Sequence, residues 1–71
     1  MKKGDIVTFV DEGQYAKWFF GKIGVVENVS YKSTGETHCR VKWLVPVKYH
    51  DSWTDFSDFN ADNFEVYDEN A

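Results

Sequence analysis

Thirteen aromatic side chains, three Trp, four Tyr and six Phe, lie in a chain of only 71 residues. Aromatic rings carry the largest apolar surfaces that a protein can bury. A domain this short has few other means of offsetting the conformational entropy that folding costs. We therefore expect most of these rings in the core and only a few on a binding surface. The length fits one domain over residues 1–71, because a second domain would be too small to bury a core.

Short strands separated by turns are predicted along most of the chain. Gly35 lies in a turn over residues 32–36, and Gly24 indicates a bulge or a sharp bend within a strand. Pro46 is expected to end a strand or to lie at a sheet edge. The β-branched and aromatic content predicts strands over residues 5–10, 21–31, 37–45 and 63–67.

The strand over residues 37–45 has the clearest two-residue alternation. Cys39, Val41 and Trp43 fall on one face, which we assign to the core. The opposite face carries polar and charged residues and Leu44.

Residues 47–60 show no such alternation, although they contain four aromatic rings. We expect a long ordered loop here that folds over one end of the core as a lid. Asp58 or Asn60 is expected to cap a short helical turn before the last strand. We expect the acidic tail, residues 68–71, to be frayed.

Four to five short antiparallel strands with glycine-containing turns indicate an all-β protein. The chain has too few residues for two stacked sheets, so a small closed or half-open barrel is predicted. Closure of a barrel also removes exposed strand edges that would otherwise aggregate.

The chain resembles the KOW motif of SH3-like barrels in two stretches, KKGDIVTFV (2–10) and FFGKIGVVENV (19–29). A third stretch, ADNFEVY (61–67), resembles the helical turn and final strand of eukaryotic SH3 domains. The resemblance covers about half of the chain. It implies an SH3-like barrel and a regulator or accessory subunit of the transcription or translation machinery. The residues that carry the KOW match are Gly4, Asp5, Val7, Phe9, Gly21, Lys22, Gly24 and Val25.

Candidate binding residues lie in the first predicted loop and on the outer face of the third strand. Tyr15, Trp18 and Phe19 either contact a partner or cap the end of the barrel, while Phe20 is expected in the core. Arg40 and Lys42 point the same way from the strand, and either bind a partner or form a solvated surface. The full candidate set is Tyr15, Lys17, Trp18, Phe19, Lys22, Arg40, Lys42 and Leu44.

The net charge of −4 is concentrated in the second half of the chain. Nonspecific nucleic-acid binding needs a net positive surface, so the charge favours a protein partner, although a local basic patch is compatible with it. Seven of the acidic residues lie within residues 51–69 and keep an aromatic chain in solution, mimic nucleic-acid phosphate or bind a cation, although their spacing does not match a calcium-binding loop. They are Asp51, Asp55, Asp58, Asp62, Glu65, Asp68 and Glu69.

No arrangement of residues predicts catalysis, a metal site or a cofactor. Cys39 lies on the inward face of its strand while His38 points the opposite way, so the pair cannot act together. His50, Asp51 and Ser52 are consecutive residues without a rigid scaffold. A single cysteine fits a reducing compartment, and neither a signal peptide nor an apolar membrane span is found. We therefore expect a cytoplasmic protein.

Three functions are consistent with these features. The first is a non-enzymatic module, monomeric or weakly dimeric, that binds a protein through residues 15–22 and the outer face of strand 37–45; its size would suit a phage regulator. The second is nucleic-acid binding through Lys17, Lys22, Arg40 and Lys42 with Trp18 stacking on bases. The third is an acidic decoy that uses the carboxylates of residues 51–69 to occupy a DNA-binding protein.

Overall fold

Five strands, one turn of α-helix and one 3-10 turn make up most of the fold. The computed structural model describes residues 1–67. The predicted all-β class is confirmed, as are the antiparallel strands and the short helical turn before the last strand. The elements are β1 Ile6–Phe9, α1 Ala16–Phe19, β2 Ile23–Tyr31, β3 Thr37–Tyr49, β4 Ser52–Asn60, the 3-10 turn Ala61–Asn63 and β5 Phe64–Val66. The predicted fraying of residues 68–71 lies outside the described residues.

The strands form a single antiparallel sheet in the order β4-β3-β2-β1-β5. β5 returns to β1, where Phe64 lies opposite Phe9. The sheet is strongly curled, because the rings of Phe59 in β4 and Phe64 in β5, its two outermost strands, have centroids only 6.0 Å apart. The core lies inside this curl.

The buried side chains form one cluster on the inner face of the sheet. Cys39, Val41 and Trp43 alternate inward along β3, as predicted. The indole Nε1 of Trp43 donates a hydrogen bond of 2.9 Å to Ser57 Oγ, so the polar atom of this buried ring is satisfied. The complete core is Val7, Phe9, Phe19, Val26, Cys39, Val41, Trp43, Val47 and Phe64.

The prediction of a long loop over residues 47–60 was wrong. Residues 47–49 continue β3, and after a two-residue turn at His50 and Asp51 the chain returns as β4. Rings occur on both faces of β4: Phe59 packs against the core, whereas Trp53 is exposed. This placement hides the alternation. Two-residue hairpin turns require a positive φ, which is usually provided by glycine. Here His50 adopts it, with a φ of 56°, so the usual sequence signal of a hairpin is missing.

Pro46 does not end the third strand. β3 continues to Tyr49, and its pairing with β4 is interrupted between Lys42 and Val47. Across this interruption four β3 residues, 43–46, face the single β4 residue Asp55. Pro46 therefore lies in a bulge, where a missing N–H donor does not break the ladder.

Two local predictions can be compared directly with the structure. Gly24 is a regular, buried β2 residue, and the register shift in that strand lies between Val26 and Asn28 instead. Asn60 caps the 3-10 turn, since its side-chain oxygen accepts a hydrogen bond of 2.9 Å from the backbone N–H of Asp62. Asp58, the other candidate cap, pairs with Arg40.

Candidate functional site

The connection between β1 and β2, residues 10–22, is an ordered loop that contains α1. Backbone hydrogen bonds attach the end of this loop to β1. Gly21 N donates to Phe9 O at 2.9 Å, and Phe9 N donates to Lys22 O at 3.0 Å. Gly21 adopts a φ of 79°, a left-handed conformation that glycine reaches without a Cβ clash. The loop therefore holds its side chains in defined positions.

Phe19 and Phe20 occupy opposite environments. Phe19 is only 2% exposed and stacks on the ring of Trp43, with centroids 5.3 Å apart. Phe20 is 51% exposed, so its predicted place in the core was wrong. Consecutive helical residues point about 100° apart, and the orientation of α1 decides which of the two rings faces the core. Of the pair, Phe20 is available for contact.

Trp18 and Tyr15 are half-buried and pack against other rings. The Trp18 ring centroid lies 4.8 Å from that of Tyr49 and 4.9 Å from that of His50, and Lys17 Nζ lies 4.7 Å from it. Tyr15 packs edge-on against Phe59 at 5.4 Å. These contacts leave Trp18 less free to stack on a base than an exposed ring would be.

The outer face of β3 carries the predicted cations. Arg40 and Lys42 are exposed, and both approach the ring of Phe56 on β4, at 4.9 Å and 5.9 Å from its centroid. Arg40 Nη1 also lies 3.2 Å from Asp58 Oδ2. Arg40 therefore already has a carboxylate partner, whereas Lys42 forms no ion pair within residues 1–67.

The structure brings two of the predicted residues, Lys22 and Leu44, together in one cleft of about 330 Å³. Leu44 is 60% exposed because it lies on the outer face of β3, and its neighbour Val45 is 72% exposed because the β3 bulge breaks the alternation that would turn it inward. We call this surface the Leu44 cleft; its lining residues are Gly21, Lys22, Ile23, Leu44 and Val45.

Ile23 and Val45 were missed as site residues. A signal for Val45 was present in the sequence: residues 44–47 read LVPV, and four consecutive apolar residues cannot all lie on the inner face of one strand. Ile23 carried no such signal; it is the first residue of β2 and lies on the face opposite the buried Gly24 and Val26. Arg40, Tyr15, Lys17 and Trp18 do not line this cleft.

The residues considered for catalysis are held apart. Cys39 is buried, and burial, together with the nearby Asp58 carboxylate, raises the pKa of its thiol. His38 Nε2 lies 3.1 Å from Glu36 Oε2 at the surface. A buried thiol with a raised pKa is a poor nucleophile because little thiolate forms.

Two further results concern only residues 1–67. No three His, Cys, Asp or Glu side chains in this range are grouped so that they could hold a metal ion. Within the same range, no helix has the length and apolar character needed to cross a membrane.

Comparisons of this chain with protein-family models, with curated proteins and with solved structures found no match.

Proposed function

We propose that the chain is a non-enzymatic binding module that contacts a protein partner through the Leu44 cleft. The exposed ring of Phe20 belongs to the β1–β2 loop and directly precedes Gly21 of the cleft. In this proposal the apolar side chains of the cleft provide the burial on binding, and Lys22 at its rim pairs with an acidic group of the partner.

The observation that carries the proposal is the exposure of four large apolar side chains in a chain that has little interior. Phe20 lies in the β1–β2 loop, directly before the cleft residue Gly21, and Ile23 begins β2; Leu44 and Val45 lie on the β3 bulge. Such a chain gains stability from each apolar side chain that it buries, so the exposure of Ile23, Leu44 and Val45 in one cleft, with Phe20 exposed next to it in the chain, favours a contact role.

A protein partner is favoured over a nucleic acid by the state of the predicted basic residues. Arg40 is paired with Asp58, and Lys17 lies over the Trp18 ring. Lys42 likewise lies over a ring, that of Phe56, which leaves Lys22 without an ion pair or a ring contact within residues 1–67 of a chain whose net charge is −4. Phosphate binding gains its strength from several cations acting together. In the alternative of an acidic decoy, the carboxylate of Asp58 is already paired with Arg40 and contributes less to the mimicry of phosphate.

The choice of the transcription or translation machinery rests on the resemblance to KOW domains. The antiparallel order, in which β5 returns to β1 behind a 3-10 turn, is compatible with the SH3-like barrel that this resemblance implies. We infer that the chain acts as a small regulator or accessory factor of that machinery.

Partner capture with a cleft variant tests the proposal. The wild-type chain and Leu44→Asp are immobilised in equal amounts, incubated with native lysate, and the retained proteins are identified by mass spectrometry. We expect a transcription or translation protein to bind the wild type and to be depleted at least about tenfold on Leu44→Asp, because a buried carboxylate without a partner opposes binding.

The matched control is Tyr31→Asp, which introduces the same charge at a more exposed apolar residue at the other end of β2. It should capture the partner as the wild type does, and both variants should melt within a few degrees of it. Equal capture by Leu44→Asp would refute the Leu44 cleft as the contact surface. Salt-sensitive fluorescence quenching by oligonucleotides at about 50 mM salt would favour the nucleic-acid alternative.

A further inference from the structure

We propose that the free edge of β4 accepts an extended basic segment of another protein as an additional β-strand. This interaction uses a second surface, separate from the Leu44 cleft, and does not depend on the function proposed above.

β4 is an outermost strand of the sheet. Within residues 1–67 it pairs only with β3, so the opposite side of its nine residues, Ser52–Asn60, has no strand beside it. Edge strands present backbone N–H and C=O groups that can pair with another chain, and proteins commonly block them with proline, lysine or very short strands. β4 has none of these features. It is therefore an open template for strand addition.

A groove of about 390 Å³ runs between β4 and the β1–β2 loop. We call it the β4 groove. It gives the side chains of an added strand an aromatic surface to pack against while the backbone pairs with β4. Its lining consists of Tyr15 and Phe19 of the loop, Tyr49 of β3, and the β4 residues Thr54 and 56–59.

The charge of β4 selects the occupant. The strand and the turn before it carry three carboxylates, Asp51, Asp55 and Asp58, all exposed, and no cation. A strand that carries lysine or arginine would bring cations to this edge, where Asp51 and Asp55 form no ion pair within residues 1–67 and Asp58 is paired with Arg40.

β3 already shows this complementarity on the other side of β4. Its exposed residues Arg40, Lys42 and Lys48 lie opposite Asp58, Phe56 and Trp53. Arg40 forms an ion pair with Asp58, and both Arg40 and Lys42 lie over the Phe56 ring. An added basic strand would repeat on the free edge the contacts that β3 makes on the paired one.

The same charges disfavour a second copy of the chain. Two β4 strands paired with each other would bring four carboxylates together, Asp55 and Asp58 of each chain, of which only Asp58 has a cation partner, and like charges across a ladder are destabilising. We therefore favour a basic partner segment over self-association.

The test measures binding of fluorescein-labelled nine-residue peptides by anisotropy. One peptide alternates arginine and threonine, and a second alternates glutamate and threonine. We expect the basic peptide to bind and the acidic one not to bind. Asp55→Lys should weaken the basic peptide at least about tenfold. Glu27→Lys, which makes the same charge change at an exposed residue of the inner strand β2, should weaken it less than about threefold.

Backbone methylation separates strand addition from simple charge attraction. Two further peptides carry N-methyl groups either on every arginine or on every threonine. Only alternate N–H groups of an added strand face β4, so one pattern should abolish binding and the other should preserve it. Equal binding of the two methylated peptides overturns the proposal. It is also overturned if a proline-rich peptide of equal charge binds as well, or if sedimentation shows a dimer that excludes the basic peptide.

Discussion

Phe19 and Phe20 are identical side chains on adjacent residues, but the fold buries one and exposes the other. From the sequence, Phe20 is expected in the core, whereas Phe19 either contacts a partner or caps the barrel end; the structure buries Phe19 and exposes Phe20. Which ring is buried depends on how the single helical turn α1 lies against β3, and the local sequence does not specify that orientation. The rings of Phe9, Trp43 and Tyr49 surround Phe19 at centroid distances of 5.3 to 5.8 Å.

Alanine substitution should separate the two rings. We expect Phe19→Ala to lower the free energy of unfolding by about 3–5 kcal/mol, because it removes a buried ring and leaves a cavity. Phe20→Ala should change it by less than about 0.5 kcal/mol, since half of that ring is already in water. Urea denaturation followed by tryptophan fluorescence measures both. A greater loss for Phe20→Ala would contradict the placement of these rings.

At the scale of elements, the strands with one buried face were predictable and β4 was not. β-branched and aromatic content located β1, β2 and β5, and alternation located the first part of β3, whose inner face alone is apolar enough to pack. β4 has rings on both faces and follows a turn without glycine, so it lacks both the alternation and the hairpin signal. The position of β4 could be fixed only by its pairing with β3.

Gly24 supplies a test at the same scale. A Cβ at this position would collide with Val41 Cγ1 and would lie 2.8 Å from the backbone oxygen of Lys42. We expect Gly24→Ala to destabilise the protein by about 1–3 kcal/mol, because β2 and β3 must move apart to admit the methyl group.

Ser30→Ala, an exposed substitution in the same strand, serves as the control and should stay within about 0.5 kcal/mol of the wild type in urea denaturation. Equal stability of the two variants would mean that the sheet accommodates the methyl group without strain.

At the scale of the whole molecule, the last strand holds the two ends of the curled sheet together. Phe64 of β5 lies against Phe9 at 5.4 Å, Phe59 at 6.0 Å and Trp43 at 6.0 Å. The closing strand was predictable from its sequence, but these contacts between distant residues were not. The two proposed binding surfaces were likewise not predictable from the sequence. Lys22 and Leu44 were each selected as candidate residues, but the cleft that joins them is formed with the β3 bulge. The β4 groove is formed by β4, which was predicted to be a loop.

Removal of β5 should therefore unfold the entire domain. A chain truncated after Asn63 loses the buried ring of Phe64 and the pairing partner of β1. We expect it to lose its near-UV circular dichroism and its cooperative thermal transition. A chain truncated after Tyr67 keeps every contact of β5 described above and should melt as the full chain does. A cooperative transition in the shorter chain would show that β1 to β4 fold without it.

The β3 bulge contains residues that do not take part in the pairing of β3 with β4. Three of the four residues opposite Asp55 are surplus to the ladder, which resumes at Val47 and Thr54. Insertions or deletions at positions 44–46 can therefore be absorbed while both halves of the hairpin keep their partners. This segment also supplies one wall of the Leu44 cleft, so a change in its length would reshape the proposed contact surface without redesigning the fold.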